Sequence, residues 1–343
     1  MDPRPLHIVL TADPELPVPP RLYGGIERII DLLASEYRRR GHDVTLVAHP
    51  DSTAAAELVP WPGRSSRSRR DGVRNAATLW RTVRQRPVDV VHSFSRIAYL
   101  LPLLPTAVPK LMTYQRAISR RSVQLGHHLS GGSLQFSAIS DWMMAHVNDV
   151  GRWHLVPNGV DLARYPASEA VAADAPLVFL GRIEAIKGPH LAIAAARRAG
   201  LPLVLAGNVP DEHQAWFDEE VRPALDGDRV RWIGPVDDAR KAELLAGARA
   251  LLMPILWEEP FGIVMAEAMA CGTPVLGFRR GAVPEVVTDG ETGWVVDDLD
   301  ELVAAIGRID AIDRRACRRR VELHYSAAAI AEAYLGIYTA MGR

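Results

Sequence analysis

The sequence predicts an α/β protein with two doubly wound domains that face each other across a cleft. Three observations support this fold class: the chain length, the alternation of short apolar runs with amphipathic stretches, and the restart of that alternation halfway along. With 343 residues, of which 48% are hydrophobic, the chain is long enough for two domains that each bury a core. Short apolar runs between helices are typical of parallel strands covered on both faces.

The first series of elements lies in the N-terminal half. A strand is predicted at 6–10, and an amphipathic helix follows at 25–41. The apolar side chains on one face of that helix are Ile26, Ile29, Ile30, Leu33 and Tyr37. Further strands are predicted at 43–48, 89–94, 109–114 and 134–140.

The second series begins after residue 175, with strands predicted at 176–182, 201–207, 229–234, 250–255, 273–278 and 293–296. Charge changes sign between the halves: through Tyr165 there are 21 Lys and Arg against 14 Asp and Glu, and beyond it 19 against 27. We therefore predict an N-terminal domain at 1–164, a C-terminal domain at 165–325, and a C-terminal helix at 326–343 that packs back on the first domain.

The composition also bears on the compartment. The two cysteines, Cys271 and Cys317, exclude a disulfide scaffold and argue against a metal cluster, which favours the reducing cytosol. The N-terminus has no usable signal peptide. The best membrane candidate, 97–111, is shorter than the roughly 20 residues a spanning helix needs and contains three prolines. We expect a cytoplasmic protein that is at most peripheral to a membrane.

Two segments that follow strands carry groups suited to phosphate. Gly24 and Gly25 open the first helix, where backbone N–H groups favour anions and glycine allows close approach. A plain glycine turn is the alternative. In LGRIEAIKG (180–188), Arg182 and Lys187 flank a turn after the first strand of the second half, and two cations there would suit a diphosphate. Two solvated surface cations are the alternative.

The segment WEEPFGIVMAEAMACGTPV (257–275) contains three carboxylates in an apolar context. We expect a helix from Pro260 to about Cys271, with Glu259 at its start and Glu267 about 8 Å further along the axis. Two acceptors at that spacing could hold hydroxyls at both ends of a nucleotide-sugar, and the free N–H groups near Gly262–Val264 would face its diphosphate.

A simpler interpretation is that Glu258 and Glu259 only stabilise the helix N-terminus, by about 0.3–1 kcal/mol each. We apply that interpretation to Glu258. It does not explain Glu267, because an unpaired carboxylate on an apolar helix face is costly.

Taken together, these motifs resemble those of retaining glycosyltransferases of the GT-B fold, family 4 (glycosyltransferase group 1). The matching segments are EPFGIVMAE, GRIEAIKG, VPNGVDLARY (156–165), EAMACGTPV and GAVPEVVTDGETGWVV (281–296). The resemblance implies two Rossmann-like domains and the transfer of a hexosyl unit from a nucleotide-diphosphate sugar to a hydroxyl acceptor, with retention and without a metal.

The resemblance also implies residue roles. Arg182 and Lys187 would neutralise the donor diphosphate, Glu267 would hold the ribose hydroxyls, and Glu259 would contact the transferred sugar. With His92, the residues Glu259, Arg182 and Lys187 form the expected catalytic set. The other expected donor-binding residues are Gly24, Gly25, Gly207, Asn208, Val236, Phe261, Gly262, Ile263 and Val264. No cofactor is implied, and a UDP-sugar is favoured over a GDP- or ADP-sugar.

In the usual proposal for this family, attack occurs on the leaving-group face and the departing phosphate takes the acceptor's proton, so no side-chain nucleophile is assigned. Fixed cations and amides replace a metal at the growing charge. The DDLD segment (297–300) superficially matches a metal-binding motif, but we interpret it as the loop that starts the next helix.

The first half departs from the family pattern. Many members have a second histidine two positions after His92, where this sequence has Phe94. His92 is therefore either a ligand or base, or a satisfied buried histidine. TYQR (113–116) replaces a further histidine, and Tyr114, Gln115 and Arg116 could form a different acceptor pocket. His127 and His128 are expected at the surface.

Eight arginines lie between Arg64 and Arg86. They form either a solvated helix face or a surface for an anionic membrane or anionic acceptor, where each basic residue adds about 1 kcal/mol. Aromatic residues are not interleaved as in a nucleic-acid binder, so nucleic acid is not expected. The acceptor itself is a small molecule, a glycan or a lipid-linked molecule.

Two other functions remain open at this point. The same fold with sugar nucleotides can serve an epimerase or a phosphorylase, or a non-catalytic protein that only binds nucleotide. The presence of Glu259, Arg182 and Lys187 argues against the non-catalytic alternative. A nicotinamide dehydrogenase is disfavoured because neither half opens with GxGxxG.

Overall fold

The computed structural model describes residues 4–21 and 24–342. The chain forms two compact units. Unit 1 comprises Met1–Asn158 and Ala327–Arg343, and unit 2 comprises Gly159–Ser326. The divisions thus fall after residues 158 and 326, where the sequence analysis placed them after 164 and 325.

Strands and helices alternate through both units. In chain order the strands are β1 (His7–Thr11), β2 (Asp43–Ala48), β3 (Glu57–Pro60), β4 (Val90–Ser93), β5 (Lys110–Tyr114), β6 (Leu134–Ala138), β7 (Trp153–Leu155), β8 (Leu177–Leu180), β9 (Leu203–Ala206), β10 (Val230–Trp232), β11 (Ala250–Met253), β12 (Val275–Phe278) and β13 (Gly293–Val296).

The helices are α1 (Gly25–Arg39), α2 (Arg69–Gln85), α3 (Ile97–Leu100), α4 (Arg120–Ser130), α5 (Asp141–Met144), α6 (Pro189–Ala199), α7 (Gln214–Trp216), α8 (Asp238–Ala246), α9 (Ile263–Ala270), α10 (Val283–Val286), α11 (Leu299–Ile306), α12 (Arg314–His324) and α13 (Ala327–Met341). A 3-10 turn at Ala185–Lys187 precedes α6.

Unit 1 is built on a parallel sheet with the strand order β3-β2-β1-β4-β5-β6-β7. The five strands predicted in this half are all present, with ends that differ by at most two residues. The edge strands β3 and β7 were not predicted. β3 is half exposed and β7 has three residues, so neither carries the continuous apolar run that identifies a buried strand.

Unit 2 is built on a second parallel sheet, with the order β10-β9-β8-β11-β12-β13. All six strands predicted in this half are present. In both sheets the strand order reverses beside the first strand of the series, between β1 and β4 in unit 1 and between β8 and β11 in unit 2. Doubly wound sheets bind ligands beyond the carboxyl ends of the strands at this switch point.

The cores follow from the apolar pattern. On α1 the residues Ile29, Ile30, Leu33 and Tyr37 are buried as predicted, whereas Ile26 is half buried. The C-terminal helix α13 belongs to unit 1, as predicted, and packs against α1, where the hydroxyls of Tyr37 and Tyr338 lie 3.0 Å apart. Within the described ranges, no helix is both long and apolar enough to cross a bilayer.

Candidate active site

The carboxyl ends of β8 and β11, which are neighbours at the switch point of unit 2, bring Lys187 and Glu259 together. Lys187 Nζ lies 2.6 Å from Glu259 Oε2, and the side chains are 16% and 11% exposed. Trp257 Nε1 donates to the same oxygen at 3.1 Å, and Lys187 Nζ lies 4.5 Å from the centre of the Trp257 ring. Lys187 is therefore a half-buried, paired cation and not a freely solvated one.

Arg182 lies on the same turn as Lys187 but is more open to solvent. Its guanidinium is 2.8 Å from Glu184 Oε1, and its side chain is 41% exposed. Glu184 is buried, and its other oxygen lies 3.2 Å from His213 Nε2. The turn thus presents one fixed cation and one accessible cation at the same edge of the sheet.

Helix α9 begins at Ile263, three residues later than predicted. Gly262 precedes it with φ 70°, in the left-handed region that favours glycine. A Cβ there would lie 2.8 Å from Met265 Cε. Glu259 therefore lies outside the helix, and the estimate of about 8 Å along one helix axis does not apply to Glu259 and Glu267.

Backbone N–H groups around the start of α9 are available to an anion. Met265 N–H bonds to the Gly262 carbonyl at 2.9 Å. In the described part of the chain, the N–H groups of Phe261, Gly262, Ile263 and Val264 have no protein acceptor. Unpaired donors at a helix N-terminus carry partial positive charge and suit a phosphate.

Glu267 lies inside α9 and is 5% exposed. The carboxylate is paired: its Oε1 accepts from Lys241 Nζ at 2.5 Å and from Tyr165 Oη at 2.6 Å. No described residue donates to Oε2. The two donors offset the cost of burying the charge, and Oε2 keeps its capacity to accept a hydroxyl.

Glu258 has a different role from its neighbour. The prediction that it is only a helix-end charge is wrong, because α9 begins five residues later. Its Oε2 accepts the N–H of Gly281, and its Oε1 lies 3.6 Å from Arg280. Glu258 therefore fastens the loop after β11 to the loop after β12.

Three of the expected donor-binding residues, Gly207, Asn208 and Val236, follow strands of the same sheet. Gly207, after β9, has φ 144°, and a Cβ there would lie 1.8 Å from the Gly181 carbonyl oxygen, so only glycine fits. Its N–H donates to the Gly234 carbonyl at 2.8 Å. Asn208 and the half-buried Val236 lie in the segments that follow β9 and β10.

His92, by contrast, belongs to a closed polar cluster inside unit 1. It has no exposed surface. Nδ1 lies 2.5 Å from Tyr338 Oη and Nε2 lies 2.6 Å from Thr113 Oγ1. The ring packs against Phe94 and Tyr334. Burial lowers the pKa of His92 to about 3, so the geometry favours the buried-histidine alternative over the catalytic one.

Gly24 and Gly25 open α1, and the Cβ position of Gly25 has nothing within 4 Å. The adjoining residues 22 and 23 of the predicted phosphate segment lie outside the described residues. Two buried carboxyls that the sequence analysis did not single out, Asp13 and Glu27, lie in the same region after β1. Burial raises the pKa of each.

The expected acceptor pocket of Tyr114, Gln115 and Arg116 is not a single cluster. Gln115 exchanges two hydrogen bonds with Asn158, at 2.7 and 2.9 Å. Arg116 pairs with Asp13 at 3.2 Å. Tyr114 packs near aromatic rings of the sheet, and burial raises its pKa to about 12. Arg116, which is 62% exposed, is the most accessible of the three, and Tyr114 and Gln115 are half buried.

Two other interpretations concern surface segments. His127 and His128 are exposed on α4, as predicted. Asp298 caps α11 by accepting from the N–H of Glu301 at 2.9 Å, so DDLD starts a helix, also as predicted. No group of three His, Cys, Asp or Glu side chains suited to a metal ion occurs in residues 4–21 and 24–342.

Family models cover most of the chain. The model described as Glycosyl transferases group 1 matches residues 167–320, and that described as Glycosyltransferase Family 4 matches residues 23–164. A glycogen synthase of Mycobacterium tuberculosis is 26% identical, over 95% of this chain and 93% of the relative. A phosphatidyl-myo-inositol mannosyltransferase of Mycolicibacterium smegmatis is 28% identical, over 82% of this chain and 80% of the relative.

Solved structures share the fold. AviGT4, a glycosyltransferase involved in avilamycin A biosynthesis, matches with a TM-score of 0.73 and 26% identity, over 98% of both chains. Anabaena HepE in complex with UDP and glucose matches with a TM-score of 0.74 and 18% identity, over 98% of this chain and 100% of that one. The chain therefore belongs to glycosyltransferase family 4 (glycosyl transferases group 1) and is a glycosyltransferase of the GT-B fold.

Proposed function

We propose that this glycosyltransferase moves a hexosyl unit from a nucleotide-diphosphate sugar, preferably a UDP-sugar, to a hydroxyl acceptor with retention of configuration. The observation that carries the proposal is the edge of the unit 2 sheet where Lys187, Glu259 and the unpaired amides of 261–264 meet. Cations and amides suit a diphosphate, and adjacent carboxylates suit sugar hydroxyls.

Charge balance explains why fixed donors are suited to this reaction. The bond between the anomeric carbon and the β-phosphate oxygen breaks, and its electron pair remains on the phosphate. The acceptor oxygen forms the new bond on the same face, and its proton passes to the departing phosphate. Lys187, Arg182 and the amides of α9 would stabilise the charge that grows on that phosphate. They would also take the place of a divalent cation.

The two carboxylates would bind different parts of the donor. Glu267 would accept from the ribose hydroxyls through Oε2, since its Oε1 already holds Lys241 and Tyr165. Glu259 would accept from hydroxyls of the transferred hexose while its Oε2 keeps Lys187 in place. Glu259 is not assigned as a nucleophile, because retention through same-face attack needs none.

The acceptor and the nucleobase of the donor would bind in different places. The acceptor is a small molecule, a glycan or a lipid-linked hydroxyl. The nucleobase would bind to the segments at 207–208 and 234–236, mainly through their backbone groups. UDP is favoured in part because HepE, which has the same fold, was solved with UDP.

The donor is tested by thermal unfolding with UDP, GDP, ADP and their sugars. A ligand at 100 times its dissociation constant adds about 2.7 kcal/mol to the unfolding free energy, so the cognate nucleotide should separate clearly from the others. The absence of a shift with every nucleotide would contradict a nucleotide-sugar donor.

The reaction is tested by NMR of the anomeric proton in the product, with and without acceptor and with EDTA. Retention predicts the donor's anomeric configuration in the product, and EDTA should leave the rate unchanged. An inverted product would refute retention. A changed sugar nucleotide formed without acceptor would indicate an epimerase instead.

A further inference from the structure

A partly open cavity of about 690 Å³ lies on unit 1, between α2 and the segment 96–102. Its volume is in the range of roughly 300–1,000 Å³ that is usual for ligand sites. The wall is mainly apolar, and its apolar side chains are Val73, Ala76, Ala77, Trp80, Ala98, Tyr99, Leu101 and Pro102. The cavity is therefore suited to a hydrocarbon group rather than to a sugar.

Two large apolar side chains at the cavity are exposed to solvent. Val73 is 72% exposed and Leu101 is 44% exposed, and both line the cavity. Val73, Ala76, Ala77 and Trp80 recur at helical spacing on one face of α2. Ala76 is buried and Ala77 and Trp80 are half buried, whereas Val73 at the N-terminal end of this face is open to solvent.

Three arginines lie at the rim of this apolar wall, beside one carboxylate, Glu15, which accepts the N–H of Ser66. Arg67, Arg69 and Arg96 line the cavity, and all three are exposed. None of the three forms an ion pair within the described part of the chain. The segment 64–86 contains eight arginines and a single acidic residue, Asp71. Asp71 is already occupied, because it accepts the N–H groups of residues 64 and 65.

We propose that this cavity binds one hydrocarbon chain of an anionic phospholipid, whose phosphate lies against Arg67, Arg69 and Arg96. An apolar cavity with unpaired guanidinium groups at its rim matches the two parts of such a molecule, because arginine binds phosphate through two parallel hydrogen bonds. A nucleic acid would leave the apolar wall without a partner. The inference is independent of the donor chemistry in unit 2.

The contribution of the charges is tested by vesicle co-sedimentation of the full-length protein. Phosphatidylcholine vesicles are compared with vesicles that also contain phosphatidylglycerol. Each basic residue near an anionic surface adds roughly fivefold in affinity. The double variant Arg67→Glu, Arg69→Glu should therefore bind the anionic vesicles at least about 25-fold more weakly. Arg121→Glu, which changes an exposed arginine on α4, is the control and should change binding less than threefold.

The contribution of the cavity is tested with Val73→Asp. Its control is Leu323→Asp on α12 of unit 2, because Leu323 is 70% exposed and Val73 is 72% exposed. The probes are alkyl phosphates of increasing chain length below their micelle concentration. If the cavity takes the chain, affinity should rise about fourfold per added methylene. Val73→Asp should abolish that rise, and Leu323→Asp should preserve it.

Several outcomes would overturn the proposal. Equal binding of wild type to both kinds of vesicle would exclude the anionic headgroup, and no binding to either would exclude the lipid. Binding that depends on Arg67 and Arg69 but is unaffected by Val73→Asp would indicate electrostatic contact without use of the cavity. Tighter binding to single-stranded DNA with the same arginine dependence would indicate a polyanion surface. Binding of the nucleotide-sugar donor is measured on the same preparations. A failure of lipid binding can then be distinguished from a failure of the proposed transfer reaction.

Discussion

Each unit buries a titratable side chain near its sheet, His92 in unit 1 and Glu267 in unit 2, and the two differ in how many of their polar atoms have protein partners. In unit 1, His92 is neutral and both ring nitrogens have partners supplied by Tyr338 and Thr113. In unit 2, Glu267 is held through one oxygen by Lys241 and Tyr165, while no described residue donates to its other oxygen.

The difference shows that burial and polarity alone do not identify a ligand site. A fully satisfied network stabilises the fold and has nothing left to offer a substrate. A charged group with unused hydrogen-bonding capacity costs stability, and a ligand can offset that cost. The candidate site in unit 2 is therefore identified by polar groups that still have unused hydrogen-bonding capacity. Substitutions in unit 2 should affect activity, whereas substitution of His92 in unit 1 should affect stability.

The largest effect is expected for Lys187→Ala. The variant lacks the preorganised positive charge beside the leaving phosphate, and kcat should therefore fall about 10²–10³-fold. Steady-state kinetics with the cognate donor measures it, and Arg198→Ala, which removes an exposed cation paired with Asp300, is the control. Full activity of both Lys187→Ala and Arg182→Ala would show that the diphosphate lies elsewhere.

Glu267→Gln should weaken nucleotide binding about 10–100-fold, because hydrogen bonds to a charged group contribute about 1.5–3 kcal/mol. Glu259→Gln should lower transfer more than it lowers nucleotide affinity, because it contacts the sugar. Calorimetric titration with the nucleoside diphosphate and kinetics with the intact donor separate the two. The reverse pattern would exchange the assigned roles.

His92 should affect the pH dependence of stability and leave donor binding unchanged. Its pKa is about 3 in the folded state against 6.5 for the ordinary group. The unfolded chain therefore binds the extra proton between these values, and stability falls as pH drops below about 6.5, by about 1.4 kcal/mol per pH unit.

Denaturant unfolding at pH 5 and pH 7.5 measures this effect, and His92→Gln should remove about 2 kcal/mol of the difference. If that variant does not fold, the His92 proton resonances of the native protein followed from pH 7.5 to pH 4.5 provide the same test. A titration midpoint near 6.5 would show that His92 is accessible and would restore it as a candidate ligand.

Lys241→Met should weaken nucleotide binding about tenfold while kcat at saturating donor changes little. The substitution removes one of the two donors to Glu267 Oε1 and leaves Tyr165. The carboxylate is then held less firmly, but its Oε2 can still accept a hydroxyl. Titration of Lys241→Met beside Arg240→Met, its exposed neighbour, measures the effect. Equal affinities for the two variants would exclude a positioning role for Lys241.

The smallest effect is expected for Glu258→Gln. The Glu258 side chain is 54% exposed, and its carboxylate accepts the backbone N–H of Gly281. The side-chain amide oxygen of Gln can accept the same N–H. Nucleotide affinity and kcat should change less than about twofold, consistent with the small contribution of exposed ion pairs. A tenfold loss would place Glu258 in the donor site beside Glu259.

The positions of the buried strands and the turns after them that carry Lys187 and Glu259 were predictable from the sequence. Apolar runs of four to six residues are set by burial on both faces of a parallel sheet, so local composition reveals them. The edge strands β3 and β7 were not predictable in this way, because their exposure removes the apolar signal. The start of α9 was displaced by Gly262, whose left-handed conformation depends on the packing around it.

By itself, then, the sequence determined two doubly wound units, their switch-point segments and the residue types that suit a nucleotide-sugar. Only the tertiary structure decided which partner each group has. Lys241 and Tyr165 lie 26 and 102 residues from Glu267, and Tyr338 lies 246 residues from His92. Such contacts arise from packing between elements that are distant in the chain, and local periodicity of the sequence does not predict them.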